Sequence, residues 1–560
     1  MKGHIVNLNH QQQAAVEHLG TPQIIIAGAG TGKTTVMIEK INYLIATTTH
    51  DPHNILALTF TNKAANEMKT RFNQFSTHSQ RPFFGTFHSF CLRFLKASPC
   101  IEQVGLTKNF TIIDFQQQKE VLQKLTKNNN ISLNKNAKDT LSKISAIKQF
   151  PHHEHAELLS QATNEIQTLF KPYNQQLRAL NCVDFDDLLL HTYTILATQP
   201  SELERMQSIY QYLIIDEYQD TNTIQNELCI LLAKQHQNIC VVGDFDQTIY
   251  SWRGAKVENL LEFNTFFPTA TTYKLEINYR STKEILGAAN QLIEFNSTRM
   301  PKKLVTDRSN NQAIEHIICY DEHQEAQTIV QHIKKHQKND NYSLKDFAIL
   351  YRTNQQSRAI EEALTKHNVA HTIVGTTPFY QRQEVKHCIA YLQCLNNINQ
   401  PIWFERAMLN PSRGVGKRSI EKLIDFCTET NQTIETAIDD EACPLTSRYK
   451  TEIKTFIQLI AATKLKNATI SEQLTILLNS VDMNTHLRKL DNPEDRENNI
   501  KELLSKCKDI NNLDDFLNEI TLFQDAGTTE DTDKVSCLTL HLAKGLEFPI
   551  VFIPGFENDL

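Results

Sequence analysis

Gln23-Ile24-Ile25-Ile26-Ala27-Gly28-Ala29-Gly30-Thr31-Gly32-Lys33-Thr34-Thr35 is a short apolar run, then a loop of small residues, then a Lys-Thr pair that opens a helical pattern. Ile24 to Ile26 suit a buried parallel strand, and Met37, Ile41, Leu44 and Ile45 recur at helical spacing, so the loop is expected where a strand hands over to a helix N-terminus. At such a junction, free backbone N–H groups and the positive end of the helix dipole favour phosphate oxygens, while glycines let the backbone come close. Lys33 then reaches the β- and γ-phosphates and the Thr34 hydroxyl can ligate Mg2+. Ala27 stands where the usual loop has glycine. The bland alternative is a glycine-rich turn that binds nothing; the strand before it and the Gly-Lys-Thr after it argue against that.

The totals narrow the class. A chain of 560 residues, 40% of them apolar, is expected to form three or four domains, each with its own core. No run approaches the roughly 18 apolar residues of a membrane span, and Met1-Lys2-Gly3-His4 does not begin a secretory segment; a cytoplasmic protein with no membrane partner is the expectation. Twelve cysteines without a Cys-x-x-Cys pair suit reduced thiols in cores rather than metal or disulfide roles. The net charge of −7 argues against a general basic coat but leaves room for a local basic groove.

Further strands carry polar clusters at their ends. Ile55 to Leu58 precede Thr59-Phe60-Thr61-Asn62-Lys63, and Gly85-Thr86-Phe87-His88-Ser89 is a second such cluster; ligands of open α/β sheets bind at strand C-termini. Tyr212-Leu213-Ile214-Ile215 ends in Asp216 and Glu217, one carboxylate to hold Mg2+ and one to orient or deprotonate water. Ile239 to Gly243 leads to Asp244-Phe245-Asp246-Gln247, in which Gln247 can sense the γ-phosphate, and then to Tyr250-Ser251-Trp252-Arg253, where aromatics beside a cation suit base stacking. For Trp252 the bland reading is a core residue. Gln12, before the phosphate strand, carries an amide that can read an adenine edge, although glutamine runs more often form a solvated helix face. Asp184-Phe185-Asp186-Asp187 is read as a solvated or capping patch before a metal site.

Leu275-Glu276-Ile277-Asn278-Tyr279-Arg280-Ser281-Thr282 and Thr539-Leu540-His541-Leu542-Ala543-Lys544-Gly545-Leu546-Glu547-Phe548 complete a series that resembles superfamily 1 DNA helicases of the UvrD/Rep type, from Leu8 onward and in that family's order. The resemblance implies an ATP-dependent helicase or translocase moving 3′ to 5′ on single-stranded DNA, acting at duplex junctions, alongside repair or replication proteins. By it, Gln12 contacts adenine, Ala27, Gly28, Ala29, Gly30, Thr31, Gly32, Lys33 and Thr34 surround the phosphates, Tyr279 stacks on adenine, Arg280 reaches the γ-phosphate and Glu547 holds the ribose. Phe60, Asn62, His88, Tyr250, Trp252, Arg253, Thr539 and His541 match positions that line the family's single-strand track.

The implied layout is two RecA-like α/β cores, each with a mostly helical insertion. The first core is 1–85 with 196–275, interrupted by 86–195; the second is 276–375 with 531–560, interrupted by 376–530. The second insertion carries Leu409-Asn410-Pro411-Ser412-Arg413-Gly414-Val415-Gly416, whose glycines and cations suit contact with a duplex backbone. The family's sixth motif, an arginine-bearing helix, has no counterpart, so the second core is expected to be incomplete and turnover weakened. Besides a working motor, the sequence leaves open a truncated member that binds ATP and DNA without efficient unwinding, and the motor module of a helicase-nuclease.

Overall fold

The computed structural model describes the chain except residues 1–7, 49, 76–79, 129–136, 297–300, 310–312, 375–379, 381, 465–467, 489, 491–492, 511, 524–532 and 558–560. It forms two units, Met1–Phe110 with Thr126–Pro172 and Val183–Asp321, and Thr111–Leu125 with Tyr173–Cys182 and Glu322–Leu560.

The first unit is built on six strands, β1 (Gln23–Ala27), β2 (Ile55–Thr59), β3 (Phe83–Thr86), β4 (Tyr212–Ile215), β5 (Ile239–Gly243) and β6 (Thr271–Leu275), in the order β3-β2-β4-β5-β1-β6. Every pairing is parallel. All residues of β1, β2, β4 and β5 are buried, which is why these strands read as unbroken apolar runs rather than as alternation. Met37, Ile41 and Leu44 of the helix Lys33–Thr47 pack with Ile25, Ile214 and Val242, while Ile45 is only half-buried. Because the sheet is parallel, the loops after all six strands leave from one edge, and the expected phosphate, acidic and aromatic clusters share it.

By their contacts, residues 276–321 group with the first unit. The cause is local: Tyr279 N donates to Gly30 O at 2.8 Å and Asn278 Nδ2 to Ala29 O at 2.6 Å, tying this segment to the phosphate loop. In the inserted helices, Asp184 caps the helix Phe185–Thr198, as the capping reading expected, but the patch is buried rather than solvated. Lys148 Nζ lies 2.7 Å from both Asp184 and Asp187 and supplies the counter-charge that burial demands.

The second unit carries β7 (Phe347–Tyr351), β8 (His371–Ile373), β9 (Val535–Thr539) and β10 (Ile550–Phe552) in the parallel order β8-β9-β7-β10. Its larger core is helical and includes Ile420, Leu423 and Ile424 of the helix Lys417–Thr430, the face expected to be apolar; Cys427 is half-buried against it. The chain is thus α/β with parallel sheets and mostly helical insertions. All twelve cysteines are unpaired, and among the described residues no helix is long and apolar enough to cross a membrane.

Candidate nucleotide-binding site

The loop after β1 has the shape its residues predict. Gly30 and Gly32 adopt φ of +69° and +81°, conformations that side chains disfavour. A Cβ on Gly30 would also strike Asn278 and Arg280, and one on Gly32 would meet Gln12. Thr31 closes the loop through its hydroxyl, which donates to Gly28 O at 2.8 Å. Lys33 and Thr34 begin the following helix, so the N–H groups of its first turn are free of intrahelical partners.

A continuous polar chain runs from this loop to the neighbouring strands. Lys33 Nζ lies 2.8 Å from Glu217 Oε1. Burial alone would depress the lysine's pKa; the Glu217 carboxylate, then Asp216 and Asp244, outweigh it and hold the ammonium above its usual value. Glu217 sits at φ +51°, a strained conformation for a residue with a side chain, and its N–H donates to Asp216 Oδ1 at 2.9 Å. Glu217 Oε2 accepts from Gln219 Nε2 at 2.5 Å, Gln219 Oε1 accepts from Asp244 N at 2.9 Å, and Asp244 Oδ2 accepts from Gln247 Nε2 at 2.6 Å. The expected catalytic residues Lys33, Glu217 and Gln247 are therefore linked, with Asp216 adjoining.

Two links were missed in the sequence. Gln219 is wholly buried, and a Cβ on Gly243 would clash with its Oε1, so that glycine makes the approach possible. Asn278, 2% exposed, accepts from the N–H groups of Arg280 and Ser281 at 2.9 and 2.7 Å while donating to Ala29. Gln219 follows two residues after Glu217 and Asn278 sits inside a quoted motif, but only long-range pairing gives each a role.

Gln12 is buried, its Nε2 donating to Thr31 O at 2.9 Å and its Oε1 accepting from Asn9 N at 3.0 Å. One hydrogen of the amide and one lone pair remain for a base edge. Tyr279 is half exposed, and its hydroxyl accepts from Asn9 Nδ2 at 2.7 Å, which places its ring beside the helix that carries Gln12. Thr34 and Asp216 offer hard oxygen donors of the kind that Mg2+ prefers, and Asp216 directly follows β4, one strand removed from β1, where its charge is felt by Lys33.

On the same sheet edge, Phe60 after β2 and Tyr250 after β5 stack at 4.8 Å with 19° between rings. Arg253 lies over Trp252 at 4.8 Å and over Tyr250 at 5.7 Å. Trp252 is 66% exposed, so it is a surface platform and not a core residue. Asn62 begins the helix after Phe60, and His88 meets Phe185 edge-on at 5.8 Å. Thr539, His541 and Glu547 belong to the second unit, where Arg352, following β7, donates to the His541 ring at 3.2 Å.

In the Leu409–Gly416 loop one cation is already engaged. Arg413 turns inward: it donates to Tyr391 Oη at 2.6 Å and to Ala407 O at 2.5 Å and lies 4.5 Å over the Phe456 ring. This cation serves the helical core.

A glycine loop that ends β1, two carboxylates that end β4 and a glutamine beyond β5, joined by hydrogen bonds, define a P-loop nucleotide-binding protein. The profile of the UvrD/REP helicase N-terminal domain matches residues 8–268, and that of the UvrD-like helicase C-terminal domain matches residues 273–560. The chain belongs to the UvrD/REP helicase family. It is similar to the ATP-dependent DNA helicase PcrA of Staphylococcus aureus strain Mu50, with 38% identity over 572 residues, 99% of this chain and 78% of the relative. PcrA of Staphylococcus epidermidis is 38% identical over 579 residues, all of this chain and 79% of the relative.

Proposed function

We propose that this chain is an ATP-dependent DNA helicase or translocase that hydrolyses Mg-ATP at the Lys33 loop and moves along single-stranded DNA. The observation that carries the reading is the hydrogen-bonded chain Lys33–Glu217–Gln219–Asp244–Gln247, which ends three residues before the Tyr250–Arg253 platform. In the resting state Lys33 neutralises Glu217. An arriving triphosphate competes for the ammonium, and its transfer to the β- and γ-oxygens frees Glu217 to orient the attacking water and accept its proton. Thr34 and Asp216 would hold Mg2+, which when bound supplies neutralisation of phosphate charge. Gln247 then reports the γ-phosphate to the loop that bears Tyr250 and Trp252, where bases stack at about 1 to 3 kcal/mol each without regard to sequence. Arg280, held to the phosphate loop through Asn278, adds a cation for the γ-phosphate.

The 3′ to 5′ direction, action at duplex junctions and service in repair or replication rest on the family resemblance, and the cytoplasmic location rests on the sequence reading alone. The experiment is steady-state ATP hydrolysis by the full chain with and without single-stranded DNA, beside Lys33→Ala. DNA-stimulated turnover that falls at least about a thousandfold in the variant is expected; unaltered turnover overturns the site.

A further inference from the structure

Beyond Arg280 the chain returns to the stretch Lys274–Arg280, itself tied to the phosphate loop, and is anchored to it three times. Lys274 Nζ donates to Pro301 O at 2.9 Å. Val305 bonds the backbone on both sides of Ile277, donating to Glu276 O at 2.9 Å and accepting from Asn278 N at 2.7 Å. The Arg308 guanidinium donates to the carbonyls of Tyr279 and Arg280 at 2.6 and 2.9 Å. Within this segment Leu304 lies so close to Gly28 that any Cβ there would overlap it.

The same segment buries a cation. The Lys302 side chain is 3% exposed, and its ammonium pairs with Asp244, also 3% exposed, and with Asp246 at 2.7 Å. Asp244 has two other duties: Oδ2 accepts from Gln247 Nε2 at 2.6 Å and Oδ1 accepts from Asp246 N at 3.0 Å. Without the ammonium, two carboxylates two residues apart would face each other partly desolvated, and each would disfavour the other's charge. The loop that aims Gln247 would then lose the group that balances it.

We propose that Lys302 is a positioning residue for ATP hydrolysis: by holding Asp244 and Asp246 it keeps Gln247 in register with the chain that begins at Lys33. The inference rests on the reading that the Lys33 site hydrolyses ATP. It assigns a role to a residue outside every motif quoted above, contributed by the stretch that also covers Gly28.

The test compares the full chain with Lys302→Met and Lys302→Arg. In Lys302→Met, kcat for ATP hydrolysis is expected to fall about tenfold or more while KM for ATP moves less than about threefold, and Lys302→Arg restores most of kcat. Independently of turnover, amide hydrogen exchange at Asp246 and Gln247 accelerates about tenfold in Lys302→Met and not in Lys302→Arg. Unchanged kcat or unchanged exchange in Lys302→Met overturns the proposal. So does an equal fall of kcat, KM and thermal stability in both variants, which marks a purely structural ion pair. If the parent chain hydrolyses no ATP yet exchange responds to Lys302 as expected, the hydrolysis reading fails while the hold on Gln247 stands.

Discussion

The phosphate loop Ala27–Lys33 and the loop Leu409–Gly416 look alike on paper, each pairing small residues with a cation, and the fold uses them in opposite ways. Lys33 follows a buried parallel strand at the head of a helix and meets Glu217, the partner that the proposed mechanism exchanges for a triphosphate. Arg413 lies in the loop between the helices Pro401–Leu409 and Lys417–Thr430 and is held by Tyr391, the Ala407 carbonyl and the Phe456 ring, none of which carries a charge to be exchanged. A cation that heads a helix and rests on a carboxylate is placed to exchange that partner for a phosphate. Where its partners are an aromatic hydroxyl, a carbonyl and a ring, it becomes part of the core.

The strongest test of this contrast is Gln219→Leu, which removes the link between Glu217 and Asp244 and leaves the buried Asp244 N–H unpaired. We expect kcat for ATP hydrolysis to drop about a hundredfold while binding of a fluorescent nucleotide changes little. Unchanged kcat would mean the chain of hydrogen bonds is incidental. Arg413→Ala should do the reverse, lowering stability to urea by about 2 to 4 kcal/mol through lost buried hydrogen bonds and cation–π contact, with duplex DNA affinity unmoved. A variant that is stable but binds duplex poorly would restore the contact suggested by its sequence.

A smaller effect comes from the same helical core. His387 is 5% exposed, its Nδ1 has no hydrogen-bond partner among the described residues, and burial, then Arg406, His486 and Arg496, push its pKa down to about 4. The unfolded chain, titrating near the ordinary 6.5, binds the proton more readily, so the neutral-state stability is intact above pH 6.5 and is lost as pH falls towards 4. Urea unfolding between pH 7 and 4.5 should show the parent losing up to about 2 kcal/mol more than His387→Leu; parallel curves would place the titration elsewhere.

What was legible in the sequence was local. A strand, a glycine loop and Lys-Thr fall within thirteen consecutive residues, and Asp216 with Glu217 directly follows an apolar run, so both could be placed without tertiary knowledge. Gln219 acquires its role from Asp244, 25 positions on, and Lys302 pairs with Asp244 across 58. Neither distance leaves a trace in spacing. The inward turn of Arg413 is hidden for the same reason, since its partner Tyr391 lies 22 positions back. The boundary near 275 follows the end of a strand and falls beside the start of the matched C-terminal profile at residue 273; the contacts that the segment after it makes back to Ala29 and Gly30 are not revealed by periodicity.

The most direct measurement of the central claim, that hydrolysis at the Lys33 loop is coupled to bases stacked on the aromatic platform, is ATP turnover titrated with single-stranded DNA for the full chain and for Trp252→Ala. The account predicts that the parent is stimulated by DNA, that the variant needs about tenfold more DNA for half its stimulation, in line with one lost stacking contact, and that ATP binding is the same in both. Identical DNA titrations in parent and variant would contradict it.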